Sequence, residues 1–349
     1  MSPSRIAPAS ASAALLLLLA ASAAAAAVDY DRPQYLCLNK AFPGGWLVDD
    51  PSTFTQASID ALLAAVGGQR GTAQRKLCVS FNLWSLIMFP ANETTMLRSL
   101  DALLALALAN ELPLSLSIDP TQWWDSRPDI WNWWAPGEPG FDAANAANVE
   151  WTAPSAANAT LIAWRNWGSQ FRLGTPHPNF AAPAFREAAA ASVAPLAARV
   201  AEWYRALPVG KKWLLAYVRA TQELWIGTNY YTYGNVFAPR NPARDPTGGP
   251  GGAALQLGYA AVCGGGGAGG PGCSGAPGDG LSTAQLDAVV ASFAGFAAQV
   301  LLDAGVPRSR VMVHTGAFFG GAPRCNSNCV FNSPQAALVP GARSAAQAA

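Results

Sequence analysis

Residues 213–225 read Trp-Leu-Leu-Ala-Tyr-Val-Arg-Ala-Thr-Gln-Glu-Leu-Trp. The first six are apolar or aromatic, and a polar segment follows at once. A short apolar run of this kind suits a strand buried on both faces, as in a parallel sheet covered by helices. Working outward, comparable runs occupy 35–39, 77–81, 114–118 and 311–314. Between them, Ala/Leu-rich stretches at 58–66, 94–110, 185–206 and 283–304 have helical patterning. Strands that alternate with helices predict an α/β fold with a parallel sheet. Ser282 is placed to cap the last helix and Gly305 to end it, while Pro183 stands just before the third.

The spacing also predicts two long excursions. Residues 119–212 separate the third strand from the fourth and hold one helix plus a polar, Trp-rich loop. Residues 235–280 are rich in Gly and Pro and read as a long loop. In a TIM-type (β/α)8 barrel such loops hang from the C-terminal ends of the strands, where active sites are built. That barrel is the expected fold, with about five to six βα units at roughly 30 residues each. Only 34 residues follow Thr315, so the barrel is expected to be incomplete in the chain as given.

The ends and the composition bound the setting. Arg5, the leucine run within 13–20 and the small residues of 21–27 have the layout of a secretory signal peptide over 1–27. A membrane anchor is the alternative, but the apolar core falls short of the ~20 residues a span needs, and Asp29, Asp31 and Arg32 follow it. No later stretch reads as a span, so no membrane association is expected once the signal is removed. The expected domain covers 28–335, with a tail at 336–349 rich in Ala, Pro, Ser and Arg. At 51% hydrophobic and 12% charged the chain can build a large core. A net charge of +1 with no basic run gives a nucleic-acid partner no electrostatic support.

Six cysteines in an exported chain suggest disulfides. Cys263 and Cys273 bracket a Gly-rich loop and Cys325 and Cys329 sit close together, so both pairs read as local staples. Cys37 and Cys78 fall inside strand-like runs, where buried thiols are the plainer reading. A zinc site would need a second close Cys/His pair, which neither cluster has, and no metal or cofactor is expected. Asn92-Glu93-Thr94 and Asn158-Ala159-Thr160 are glycosylation sequons, as suits an exported surface.

Two features point toward sugar chemistry. All thirteen tryptophans lie between Trp46 and Trp225, crowded at Trp123, Trp124, Trp131, Trp133, Trp134, Trp151, Trp164 and Trp167. Indole is a large flat apolar surface with an N–H, suited to the C–H face and hydroxyls of a sugar ring, though core filling is the alternative for any one Trp. The second feature is Glu223, just past the fourth strand and beside Trp225. A carboxyl shielded by an indole has its acidic form favoured, as a general acid needs; the alternative is a structural Glu bonding loop backbone. Asn39 and Lys40, Asn82 and Trp84, Asp119 and Gln122, and His314 supply polar or aromatic groups at the other strand ends. A Ser-His-Asp hydrolase has little support, with only His177 and His314 present and no Gly-x-Ser-x-Gly elbow.

Three segments carry a resemblance: Trp164-Arg165-Asn166-Trp167-Gly168-Ser169-Gln170, residues 178–185 (Pro-Asn-Phe-Ala-Ala-Pro-Ala-Phe), and Glu202-Trp203-Tyr204. Together they resemble a block in retaining, clan-A barrel glycosidases, nearest to poorly characterised secreted members. Gln222-Glu223 followed by 226–231 is similar to the segment that holds the fourth-strand acid in those proteins, and 148–152 is similar to their substrate-facing loop. The resemblance spans roughly 35–314 and implies hydrolysis of an extracellular poly- or oligosaccharide by two carboxylates. It makes Glu223 the acid/base residue. The substrate contacts it implies are Asn39, Asp119, Trp123, Trp124, Trp133, Trp134, Glu150, Trp151, Arg165, Asn166, Gln222, Trp225, Asn229, Tyr231 and His314. Two departures stand out. Gln222 occupies the place where many clan-A enzymes have Asn, and no Glu follows Glu223, although the family places its nucleophile after the seventh strand. Glu150 and Asp119 are the candidates for a second carboxylate, and a non-catalytic, secreted carbohydrate-binding protein is the competing expectation.

Overall fold

The computed structural model describes residues 33–39, 52, 54–68, 70–85, 92–121, 124–167, 170–221, 224, 226, 255–264, 271–276 and 280–313. The chain is an α/β protein whose main sheet is parallel and curls into a half-barrel. Its strands are β1 (Gln34–Asn39), β2 (Arg75–Trp84), β3 (Leu114–Asp119), β6 (Leu215–Arg219) and β7 (Val311–Met312), hydrogen-bonded in that order. Helices α1 (Gln56–Ala65) and α2 (Glu93–Ala109) link the first three strands, α4 (Pro183–Ala206) precedes β6, and α6 (Thr283–Asp303) precedes β7. The excursion after β3 is more structured than its polarity suggests. It contains a short helix α3 (Pro128–Trp131), two 3-10 turns, and a hairpin of β4 (Ala163–Trp167) and β5 (Gln170–Gly174). A further short helix, α5 (Tyr259–Cys263), lies in the Gly/Pro-rich stretch.

Local chemistry accounts for the helix ends. The Thr55 side chain accepts from the Ser58 amide at the start of α1, and Ser282 and Gln285 form a reciprocal capping box on α6. Pro183 is the first residue of α4, a position where its missing N–H costs nothing. Gly305 takes φ +94° after α6, while the Val306 amide donates to the Leu301 carbonyl and the Gly305 amide to that of Leu302. This is a Schellman stop, and buried Val306 closes it. Gly67 ends α1 in the same way. After α2 the equivalent left-handed position is occupied by Glu111, at φ 51°.

Alternation along β2 and β3 sorts the residues into two faces. Val79, Phe81, Leu83, Leu114, Leu116 and Ile118 join the core under the helices. Phe180, Phe185 and Phe293 stack at centroid distances of 4.7–6.2 Å where α4 meets α6, and Trp124 meets Phe185 edge-on at 5.1 Å. Each such fully buried side chain contributes about 2 kcal/mol of hydrophobic stabilisation. Helix α6 corrects one expectation. Its 21 residues and mean hydropathy of 1.5 are long and apolar enough for a membrane span. Leu286, Val290, Phe293, Ala297 and Leu301 nevertheless sit in the core, which is why the helix reads so apolar.

Two disulfides are present. Cys263–Cys273 closes the expected local loop. Cys37–Cys78 replaces the expected pair of buried thiols, because the parallel register sets the two residues directly opposite one another on β1 and β2. Such bonds suggest an extracellular or secreted protein. The signal segment 1–27, Cys325, Cys329 and the tail 336–349 lie outside the described residues.

Candidate functional site

The other face of the sheet is polar and buried. Ser80 and Asn82 of β2, and Ser115, Ser117 and Asp119 of β3, alternate with the apolar residues and lie opposite the helices. Register places Ser80 beside Ser115, then Asn82 beside Ser117, whose partner on β6 is Arg219. The Arg219 guanidinium reaches across β3, its Nη2 donating to Ser80 Oγ at 2.7 Å and to Asn82 Oδ1 at 3.4 Å. Ser80 donates to Ser115 Oγ at 3.3 Å, and Ser117 donates to the Thr221 carbonyl just beyond β6 at the same distance. Apolar side chains would satisfy the core more simply, so a charged donor held in a buried polar row makes this end of the sheet the candidate site.

Asp119 ends β3 at the same edge. Its Oδ1 accepts from the Thr121 amide at 2.8 Å and from Thr121 Oγ1 at 2.6 Å, a turn that fixes the carboxylate at the strand end. Glu150 has a different role from the substrate-facing one expected of it. It is fully buried, and its Oε2 accepts from the amides of Gly258 (2.9 Å) and Ala260 (3.2 Å) at the start of α5. Gly258 has φ +111°, and a Cβ there would lie 2.5 Å from Leu286 Cδ2, so only glycine lets this amide approach. Glu150 Oε1 has no hydrogen-bond partner among the described residues, and burial pushes the carboxyl up to about 8 against the opposing pull of the amides. Glu150 therefore ties the Trp-rich excursion to the disulfide-closed loop at 263–273.

The tryptophans divide between core and surface. Trp124 is fully buried and donates to the Pro176 carbonyl; Trp151 is nearly so and donates to that of Ala146. Their faces are covered by protein, which makes them core residues and not an open stacking wall. Trp133 and Trp134 are half-buried. Trp133 donates to the Thr160 carbonyl, and Trp134 stacks on Trp131 at 5.6 Å. Asn39, Arg165 and Asn166 are described by their backbone course alone, Asn39 closing β1 and the other two lying on β4. Trp123, Gln222, Glu223, Trp225, Asn229, Tyr231 and His314 lie outside the described residues.

Sequence reasoning missed Arg219. The available signal was the alternation Ser-x-Asn, Ser-x-Ser-x-Asp and Tyr-x-Arg at successive strand ends, which repeats a polar residue every second position. Among the described residues no group of three or more His, Cys, Asp or Glu side chains is placed to hold a metal ion. No protein-family model matches the chain, and no curated protein matches it significantly.

Proposed function

We propose that the chain is a glycoside hydrolase acting on an extracellular poly- or oligosaccharide, built on a barrel of the (β/α)8 type, with Glu223 as its acid/base residue. The observation that carries this reading is the buried polar row. It runs along the face opposite the helices and reaches the C-terminal strand edge at Asp119 and Thr221, two residues before Glu223. In barrels with active sites that edge is the functional mouth. Arg219 and Asn82 would hold sugar hydroxyls there by charge-assisted and neutral hydrogen bonds. Glu223 would protonate the departing glycosidic oxygen as the bond to the anomeric carbon breaks. Asp119, which ends the strand adjacent to β6, would supply the second carboxylate. A carboxyl separation of about 5–5.5 Å would make Asp119 a nucleophile, whereas roughly 6.5–9.5 Å would leave room for water and inversion.

The competing reading is a non-catalytic sugar-binding protein. It is favoured by the sequestration of Glu150, which leaves one fewer carboxylate for chemistry. A single comparison separates the two. Glu223→Gln should cripple cleavage of natural glycosides by roughly 10²–10⁴-fold while sparing aryl glycosides with acidic phenols, which need the proton less. Azide should rescue Glu223→Ala in a retaining enzyme. Saccharide binding without turnover by the unmutated protein would establish the competing reading, and equal losses on both substrate types would remove Glu223 from the acid/base role.

A further inference from the structure

A polar cavity of about 450 Å³ lies at the opposite end of the strands. That is within the range of ligand clefts, roughly 300–1,000 Å³. Its walls come from segments that enter β2, β3 and β6: Arg70 and Lys76, Asn110 and Glu111, and Trp213. The walls are held firmly. Gly71 turns at φ +84°, where a Cβ would lie 2.0 Å from the Arg75 carbonyl oxygen, and Arg70 Nη1 donates to the Asn110 carbonyl. Asn110 exchanges two side-chain hydrogen bonds with Gln56, at 2.8 and 2.9 Å. The Trp213 carbonyl accepts from the Tyr35 hydroxyl, and Lys76 Nζ stands 4.2 Å from the centroid of its ring.

One cation pairs with the Glu111 carboxylate and two more act on it through their charge. Lys211 Nζ lies 3.0 Å from Glu111 Oε1, and this contact, reinforced by the charges of Arg70 and Lys76, holds the Glu111 carboxyl below the usual range. The balance leaves the cavity positive. Glu111 is also the only described non-glycine residue with positive φ. Helices α1 and α6 use glycine at that same stop. A strained residue where glycine would serve points to a use for its side chain.

We propose that this cavity is a carbohydrate subsite selective for sugars bearing a carboxylate, that is, uronic acid units. Arg70 and Lys76 meet the sugar carboxylate, Glu111 takes ring hydroxyls, and Trp213 supplies the apolar surface. Glu111 sets the class: its own negative charge opposes densely charged phosphate or sulfate ligands but accepts hydroxyl protons. The site is distinct from the strand edge that leads to Glu223; its carbohydrate class rests on the proposed saccharide function, whereas its preference for a carboxylate comes from the charges of the cavity itself.

Titration calorimetry on the full chain tests the assignment with a galacturonate trimer, the methyl ester of that trimer, and dextran sulfate. The free acid should bind about tenfold or more tighter than the ester, as expected when a charged hydrogen-bond partner is lost. Trp213→Ala and Lys76→Met should each weaken the acid by a similar factor, with Arg70→Gln as the substitute if either fails to fold. Absent binding, equal affinity for acid and ester, or unchanged affinity in the variants would overturn the proposal. So would displacement of the trimer by dextran sulfate in a manner indifferent to Trp213, which would mark a general polyanion surface.

Discussion

Replacing Glu150 with Gln should reverse the order of stability of the two proteins as pH rises. In the unfolded chain the carboxyl titrates near 4.5, whereas in the folded chain burial holds it protonated up to about 8. Above 4.5 the unfolded state loses a proton that the folded state keeps, so folding grows weaker with each pH unit until the folded group also ionises. The stability is therefore fully present below 4.5 and lost as pH rises through about 8. At about 1.4 kcal/mol per pH unit, that interval sets a ceiling of about 5 kcal/mol. Glutamine keeps an acceptor for the Gly258 and Ala260 amides, but its NH2 carries two unpartnered N–H groups where the protonated carboxyl carries one O–H, an excess cost of about 1 kcal/mol at every pH. Glu150→Gln should thus be the less stable protein at pH 4.5 and the more stable at pH 8.5. Urea melts at half-unit steps, followed by circular dichroism, measure the difference, and other titrating groups cancel in the comparison. Parallel profiles across the interval would refute the reasoning, because they would mean that Glu150 is solvated or ionised in the folded protein.

Replacing Cys37 and Cys78 together with Ser should lower stability by about 2–4 kcal/mol, since the bridge closes a loop with a sequence separation of 41; thermal melts under non-reducing conditions read the loss. Glu111→Gly should raise the midpoint of urea melts, because relief of the left-handed backbone outweighs an exposed ion pair worth little. A stabilised variant that no longer binds galacturonate would reveal what the strained residue is kept for.

The parallel sheet was legible because its strands are short apolar runs separated by helical ones, and because Ser282 and Gly305 punctuate α6. Cys263–Cys273 was legible because its partners are close in sequence. The Cys37–Cys78 pair was not, since pairing across parallel strands depends on register, which the run lengths leave open. The β4–β5 hairpin hid in a mixture of Trp, Arg, Asn and Gln that lacks the alternation of a half-buried strand. Glu150 misled for a physical reason. A carboxylate among tryptophans looks like a site until the amides of α5, over a hundred residues later, are brought against it. Arg219 was passed over because a single charge at the end of an apolar run reads as the strand's boundary, whereas it spans the sheet's polar face.

The bridge between β1 and β2 also bears on when the protein can mature. Strand β1 lies at one end of the described strand order, with backbone bonds to β2 alone, and its Leu36 is 71% exposed. In a reducing compartment nothing covalent retains it, and an unlocked edge strand is a ready template for pairing with other chains. Oxidation of the Cys37–Cys78 pair welds that edge to its neighbour. Forming the bond thereby turns a strand held by backbone hydrogen bonds alone into one anchored covalently, so a reduced chain would release β1 more readily than an oxidised one.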